Sequence, residues 1–312
     1  MSLVVCAYFV IILTVQSQMI LQPANEHIIE PRVVGGRKSA IRDYPYMVSL
    51  QVHNTHICGG SILSERMILT AAHCTEYFKS TLMKVEAGDT SLLYDNSRPR
   101  VINVIRHPQF STSDVTKYDI ALLKVDRNIG LDGRTKSAVK LVDKNYEVRE
   151  GDDAVVAGWG ATFSKLYSDT GEIPEYLFNH TDVEIEKKIV IETDESSKQI
   201  RVEKFLVTKR TGDLSVGHVS TYSKVNCISF SRIFDWNGHT CASGKKQDIC
   251  NGDSGGPLMM GDYQVGIVSF STSLDCSHEG NVVIYTDIAH YRDWIDKERK
   301  KLEGDEKPAH GT

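Results

Sequence analysis

From about residue 33 onward the chain never sustains a long apolar run. Residues 47–52, 61–70, 83–87, 101–105, 120–125, 154–156 and 264–270 form short segments rich in Val, Ile and Leu, bounded by Gly, Asp, Asn or Pro. Such segments read as β-strands punctuated by turns. Their irregular spacing, roughly 10 to 20 residues, points to an all-β barrel or sandwich. One stretch breaks the pattern. Residues 285–302 set Ile288, Tyr291, Trp294, Ile295 and Leu302 at helical spacing, followed by Gly304, which predicts a C-terminal amphipathic α-helix. Its Lys297, Arg299, Lys300 and Lys301 interleave with Asp296, Glu298 and Glu303, the pattern of a solvated face with cations at the helix C-terminus. Residues 303–312 read as a loose tail.

The chain has 312 residues, 41% of them hydrophobic and 25% charged. This composition excludes a disordered, collagen-like or repeat-rich protein. The net charge of −5 offers no electrostatic footing for nucleic acid or an anionic membrane. Residues 3–15 are almost wholly apolar, yet shorter than the roughly 20 residues that span a bilayer. With Val15 and Ser17 as small residues at a cleavage site, residues 1–17 read as a signal peptide, although no Lys or Arg precedes the apolar core. The mature chain is therefore expected to be secreted and extracellular. Of the seven cysteines, Cys6 leaves with that segment. Cys58, Cys74, Cys227, Cys241, Cys250 and Cys276 remain, and spacing alone does not choose among their connectivities. An even number in a secreted chain favours three disulfides over a metal, and no pair has CxxC spacing.

The stretch Gly252-Asp253-Ser254-Gly255-Gly256-Pro257 carries the most chemistry. A serine among glycines lies where backbone N–H groups approach a substrate carbonyl, so the N–H groups of Gly252 and Ser254 are candidates for an oxyanion hole. A serine hydroxyl is a poor nucleophile without an adjacent base. Thr70-Ala71-Ala72-His73-Cys74 offers His73 as that base. An imidazole base needs a buried carboxylate to hold its tautomer, and Asp119, heading the apolar strand Asp119-Ile120-Ala121-Leu122-Leu123, is suited to it. The order His…Asp…Ser is one of three in which this triad occurs, whereas an α/β-hydrolase would want G-x-S-x-G and the order Ser…Asp…His.

Six blocks in order resemble the trypsin/chymotrypsin family of secreted serine endopeptidases: Val33-Val34-Gly35-Gly36, Cys58-Gly59-Gly60-Ser61-Ile62, residues 70–74, residues 119–123, Gly158-Trp159-Gly160 and residues 252–257. The resemblance implies two antiparallel six-stranded β-barrels with a C-terminal helix, and an active site in the cleft between the barrels. It implies that Ser254 is the nucleophile, His73 the general acid–base and Asp119 the orienting carboxylate. The implied disulfides are Cys58–Cys74, Cys227–Cys241 and Cys250–Cys276. It also implies synthesis as a zymogen, with residues 18–32 as the activation propeptide and Arg32-Val33 as the bond cut by an activating protease. The freed amine of Val33 would then pair with Asp253. Protein or peptide substrates, protein inhibitors, a monomer and no cofactor complete the expectation. The loop after Gly88 lacks the acidic ladder of calcium-binding members, so no metal is expected.

Specificity is where the resemblance frays. Asp248 lies six residues before Ser254, where trypsin-like members place the acid that pairs with a substrate Arg or Lys. The two wall positions that trypsins fill with Gly are Ser271 and Val283, and Phe270 replaces the usual Trp. A β-branched wall residue would narrow the slot. Cleavage after Arg or Lys, cleavage after small aliphatic residues and an occluded site all stay open. So does a non-catalytic homologue that binds a partner.

The protease domain is expected over residues 33–302, longer than the family norm between Trp159 and Cys227. Pro174-Glu175-Tyr176-Leu177 resembles the family's strand after Gly-Trp-Gly, which puts the surplus at about 184–222. There Lys187-Lys188-Ile189-Val190-Ile191 and Gln199-Ile200-Arg201-Val202 flank Asp194-Glu195-Ser196-Ser197, predicting a protruding β-hairpin. It reads as an exosite, a screen over the cleft, a tolerated surface insertion or a translated stretch that is not part of the native protein. Asn179-His180-Thr181 is the one N-x-S/T site for a glycan. His53, His56, His107, His239, His278 and His290 show no ligand pattern and are expected to be surface or hydrogen-bonded histidines.

Overall fold

The computed structural model describes residues 36–92, 97–114, 116–161, 163–168, 183–193, 199–209, 212–231, 238–244, 252–273, 276 and 281–304. Apart from the two-residue strands Arg37–Lys38 and Lys140–Leu141, which join the second sheet, the first six strands are β1 (Met47–Val52), β2 (Thr55–Ser64), β3 (Met67–Thr70), β4 (Met83–Ala87), β5 (Val101–Arg106) and β6 (Ala121–Val125). They pair antiparallel in the order β4-β1-β2-β3-β6-β5. The β1–β2 turn is His53-Asn54, with φ of 50° and 63°. Two left-handed residues match the twist of the flanking strands in a two-residue hairpin. The sheet's ends approach through a Lys84–Arg100 bridge and a 2.9 Å bond from Val85 N to Pro99 O. The continuous segment expected over residues 61–70 is broken at Glu65-Arg66, where Ser64 pairs across the turn with Met67. The Arg66 guanidinium holds this turn by donating to the carbonyls of Val125 and Asp126.

The remaining strands are β7 (Asp153–Gly158), β8 (Phe163–Ser168), β9 (Val183–Thr193), β10 (Gln199–Lys209), β11 (Ser215–Tyr222), β12 (His239–Ser243), β13 (Pro257–Met260), β14 (Tyr263–Ser271) and β15 (Val283–Asp287). Strands β7, β11, β12, β15, β14 and β13 form a ring that closes through β13–β7. The expected two-barrel, mostly β architecture is therefore the one observed. One apolar core runs through both sheets. It joins Leu50, Ile62 and Leu122 to Leu258, Ile267 and Val283, and to Ile288 and Ile295 of the C-terminal helix. Each such fully buried side chain contributes about 1.5–3 kcal/mol relative to exposure.

The helices are α1 (Lys224–Ser231) and α2 (Ile288–Gly304). The sequence pattern starts the second helix at Tyr285, but Tyr285 is fully buried in β15, paired with Val268 and Thr240. The helix begins later because the Asp287 carboxylate caps it, accepting from Ala289 N at 2.9 Å. Burial pushes that carboxyl's pKa up, against the opposing pull of Lys224 and the capping N–H groups. No described helix is long and apolar enough to cross a membrane.

The predicted hairpin exists. Strands β9 and β10 pair without a break from Val183–Lys209 to Thr193–Gln199. Its surroundings differ from the expectation. The strand β8, not anticipated, pairs with β10 and makes a three-stranded sheet. Residues 215–222, expected within the surplus, are the barrel strand β11, held between β7 and β12. Alternate burial of Val219 and Thr221 against exposed His218 and Ser220 is what seats β11 there. The inserted sheet thus lies between Ala161 and Leu214. Pro174 to Leu177, Asn179, residues 1–35 and the tail beyond 304 fall outside the described residues.

Candidate active site

His73 opens a single 3-10 turn, His73–Thr75, directly after β3. The Cys58–Cys74 disulfide ties this turn to β2. Asp119 precedes β6 and is wholly buried. Its Oδ2 accepts from His73 Nδ1 at 2.7 Å, and its Oδ1 accepts from the His73 backbone N–H at 2.9 Å. Two groups of the second barrel complete its surroundings. Ser269 Oγ in β14 donates to Oδ2 at 2.5 Å, and Thr286 Oγ1 in β15 donates to the Asp119 carbonyl at 2.8 Å. The proton held on Nδ1 leaves the Nε2 lone pair as the basic site of a neutral ring. Burial alone would lower the His73 pKa, but the Asp119 charge and hydrogen bond outweigh it and raise the pKa above the usual histidine value.

Ser254 lies on the turn before β13. Its carbonyl accepts from Gly59 N at 2.8 Å, next to the Cys58 half of the disulfide. Gly255, at φ +80°, packs so closely on the His73 segment that an added Cβ would meet Thr70 Oγ1 at 2.2 Å and Gly59 O at 2.6 Å. The turn is thus brought beside the His73–Asp119 pair by backbone contacts. Among the described residues no hydrogen bond joins Ser254 Oγ to His73 Nε2, which instead lies 3.6 Å from Cys74 Sγ. Cys58, His73 and Cys74 cluster within 4.8 Å, but the disulfide removes both thiolates and with them any metal site there.

The backbone around Ser254 is set by two buried contacts. Asp253 is 2% exposed, and its Oδ1 accepts from Gly160 N at 2.9 Å. A Cβ on Gly158 or Gly160 would meet that carboxylate, which explains the glycines flanking Trp159. His56 Nε2 donates to the Gly252 carbonyl at 2.9 Å, and its Nδ1 pairs with Ser49 Oγ at 2.8 Å. His56 is thus a hydrogen-bonded histidine, as its sequence context suggested.

Ser271 and Val283 face each other in register at the ends of β14 and β15. Ser271 Oγ donates to Asn281 Oδ1 at 2.7 Å, and Val283 is fully buried in the main core. Asp248, Cys250, Arg32 and Val33 lie outside the described residues. The Cys227–Cys241 disulfide is present, and Cys276 is disulfide-bonded. Sequence reading missed Ser269, Thr286 and Asn281. For Ser269 and Thr286 a hydroxyl on a buried strand is the only local signal, and it does not say which partner lies across the seam, while Asn281, just before β15, carries none.

Comparisons with known proteins agree with this geometry. The family model described as Trypsin matches residues 33–202 and 192–295. Hypodermin-B of Hypoderma lineatum is 31% identical over 88% of this chain and 90% of its own length. Trypsin epsilon of Drosophila erecta is 30% identical over the same shares, 88% and 90%. The solved structure of neuropsin, a serine protease expressed in the limbic system of mouse brain, superposes with a TM-score of 0.63. It is 25% identical and covers 85% of this chain and 98% of its own. Two β-barrels meeting over a His–Asp pair and a serine turn, matched by the family model over most of the chain, make this protein a member of the trypsin family and a serine-type endopeptidase.

Proposed function

We propose that this endopeptidase is secreted as a zymogen and cleaves peptide bonds after Arg or Lys, with Ser254, His73 and Asp119 as its triad. The observation that carries the triad is the 2.7 Å bond from His73 Nδ1 to the buried Asp119, with the Ser254 turn bonded alongside through Gly59. His73 Nε2 takes the proton as Ser254 Oγ attacks the scissile carbonyl, then returns it to the leaving amine. Asp119 holds the tautomer and stabilises the imidazolium without becoming protonated. The N–H groups of Gly252 and Ser254, which have no intramolecular acceptor among the described residues, receive the oxyanion. Water then repeats the sequence on the acyl-enzyme.

Disulfides at Cys58–Cys74 and Cys227–Cys241 suit an oxidising compartment and so accord with secretion. Activation by cleavage at Arg32-Val33 would free an amine to meet the buried Asp253. An ion pair there is costly unless well satisfied, which suits a switch that orders the oxyanion turn. The Arg32→Gln precursor is expected to be secreted but silent toward esters and peptides, and full activity in that variant would overturn the zymogen reading.

Asp248 supports cleavage after basic residues, and the trypsin name borne by relatives accords with it. A second reading rests on Val283, a buried β-branched residue opposite Ser271 where the slot's wall is expected. It narrows the slot and favours small aliphatic residues. A P1 screen of the activated protein with fluorogenic peptides, with Ser254→Ala as control, separates the two. Turnover after Arg or Lys upholds the first, and turnover only after Ala or Val gives Asp248 a structural role.

A further inference from the structure

Asp119 is positioned by more than its hydrogen bonds. The residue before it, Tyr118, has φ +55°, in the left-handed region that a large side chain rarely adopts and that Gly or Asn occupies at little cost. Ile120 N donates to Tyr118 O at 2.8 Å, closing a three-residue turn centred on Asp119. His107 N donates to Ile120 O at 3.0 Å, so the same turn is tied to the end of the β5 hairpin. The Tyr118 ring lies flat on the His107 ring, with centroids 4.9 Å apart and planes 10° from parallel. His107 in turn packs on Tyr291 at 5.4 Å and Trp294 at 5.3 Å, both from α2, and Tyr118 itself meets Tyr291 edge-on at 6.4 Å.

A strained backbone persists only where its surroundings over-determine it. Here the surroundings are an aromatic stack that runs from the C-terminal helix to the residue adjoining the triad carboxylate. We infer that Tyr118 is a positioning residue for Asp119, its ring clamped by His107 and α2 so that the carboxylate keeps both bonds to His73. The helix thereby becomes part of the apparatus that aligns the triad.

This inference rests on the triad reading above, and the test separates the two. Activated wild type, Tyr118→Asn and Tyr118→Phe are compared by kcat, KM, pH profile and labelling of Ser254 with a fluorophosphonate. Asn accepts the left-handed backbone, so its variant is expected to melt close to wild type. Without the ring, kcat is expected to fall roughly 10- to 100-fold with KM unchanged, the cost of a misplacement of about 1 Å. The acid limb of the kcat/KM profile should move to lower pH, because His73 loses part of its hold on the Asp119 charge. The proton between His73 Nδ1 and Asp119 Oδ2 should lose its downfield NMR position. Tyr118→Phe keeps the stack and should restore all three readouts. Wild-type kcat and pH profile in Tyr118→Asn would overturn the inference, as would a Phe variant no better than Asn. Absence of Ser254 labelling in activated wild type would overturn the triad reading, and this inference with it.

Discussion

The two halves of the site are held by different physics. The His73–Asp119 half is locked by side chains: one buried carboxylate takes bonds from His73 twice and from Ser269, while Thr286 fixes its backbone. The Ser254 half is shaped by backbone: a left-handed Gly255 seated on Thr70, the Gly59–Ser254 bond, and Asp253 over Gly160. A charge in a dry place must be saturated with donors, because each lost bond leaves it unsatisfied at a cost of about 1–3 kcal/mol. A turn that presents N–H groups outward cannot be saturated in the same way. Its shape depends instead on glycine and on one buried acid beneath it. The base half is thus complete as it stands, and the nucleophile half is the natural place for a switch.

Breaking each half in turn sharpens the contrast. Ser254→Ala is expected to lower kcat by an amount on the order of a millionfold while leaving the melting temperature unchanged. A loss below a hundredfold would mean that another nucleophile is at work. Gly255→Ala attacks the backbone half. Its Cβ would stand 2.2 Å from Thr70 Oγ1 at φ +80°, so unfolding free energy in urea should fall by about 3 kcal/mol or more. Ser269→Ala attacks the base half from across the seam. Removing one donor from a buried carboxylate costs about 1.5–3 kcal/mol, read as a roughly 10- to 100-fold loss in kcat.

The pH profile tests the electrostatics of that same half. Activity needs neutral His73, whose pKa is raised above the usual 6.5, so kcat/KM should be full at higher pH and fall as pH drops through a midpoint above 6.5. A midpoint below that value would mean that burial, and not Asp119, dominates. The smallest effect is expected from the inserted sheet. Replacing residues 188–204 with Asn-Gly joins Lys187 to Phe205, which already pair in register, and should leave turnover of a small ester unchanged. A large loss would show that the outer hairpin supports the site.

Much of this was readable from local pattern. Strands β1 and β4 fall where alternating and branched residues put them, and His73, Asp119 and Ser254 are recognisable by residue type and order. Reading failed where the partner is remote. By sequence alone the inserted element reads as lying further along the chain than it does, because β11 looks like surplus until its pairing with β7, some 60 residues earlier, is seen. The helix start reads too early because Tyr285 satisfies helical spacing equally well, and only its neighbours in β14 and β12 make it a strand residue.

By itself, then, the sequence determined the class of fold, the catalytic residue types and their order, since strand periodicity, turn residues and motif spacing are properties of neighbours along the chain. Only the tertiary structure decided what holds those residues in place. The Ser269–Asp119 bond spans 150 positions and the Thr286–Asp119 bond 167, so neither leaves a local signature. The left-handed turn at Tyr118 is likewise invisible in sequence, because tyrosine has no preference for it and adopts it only where a stacked ring and a helix compel it.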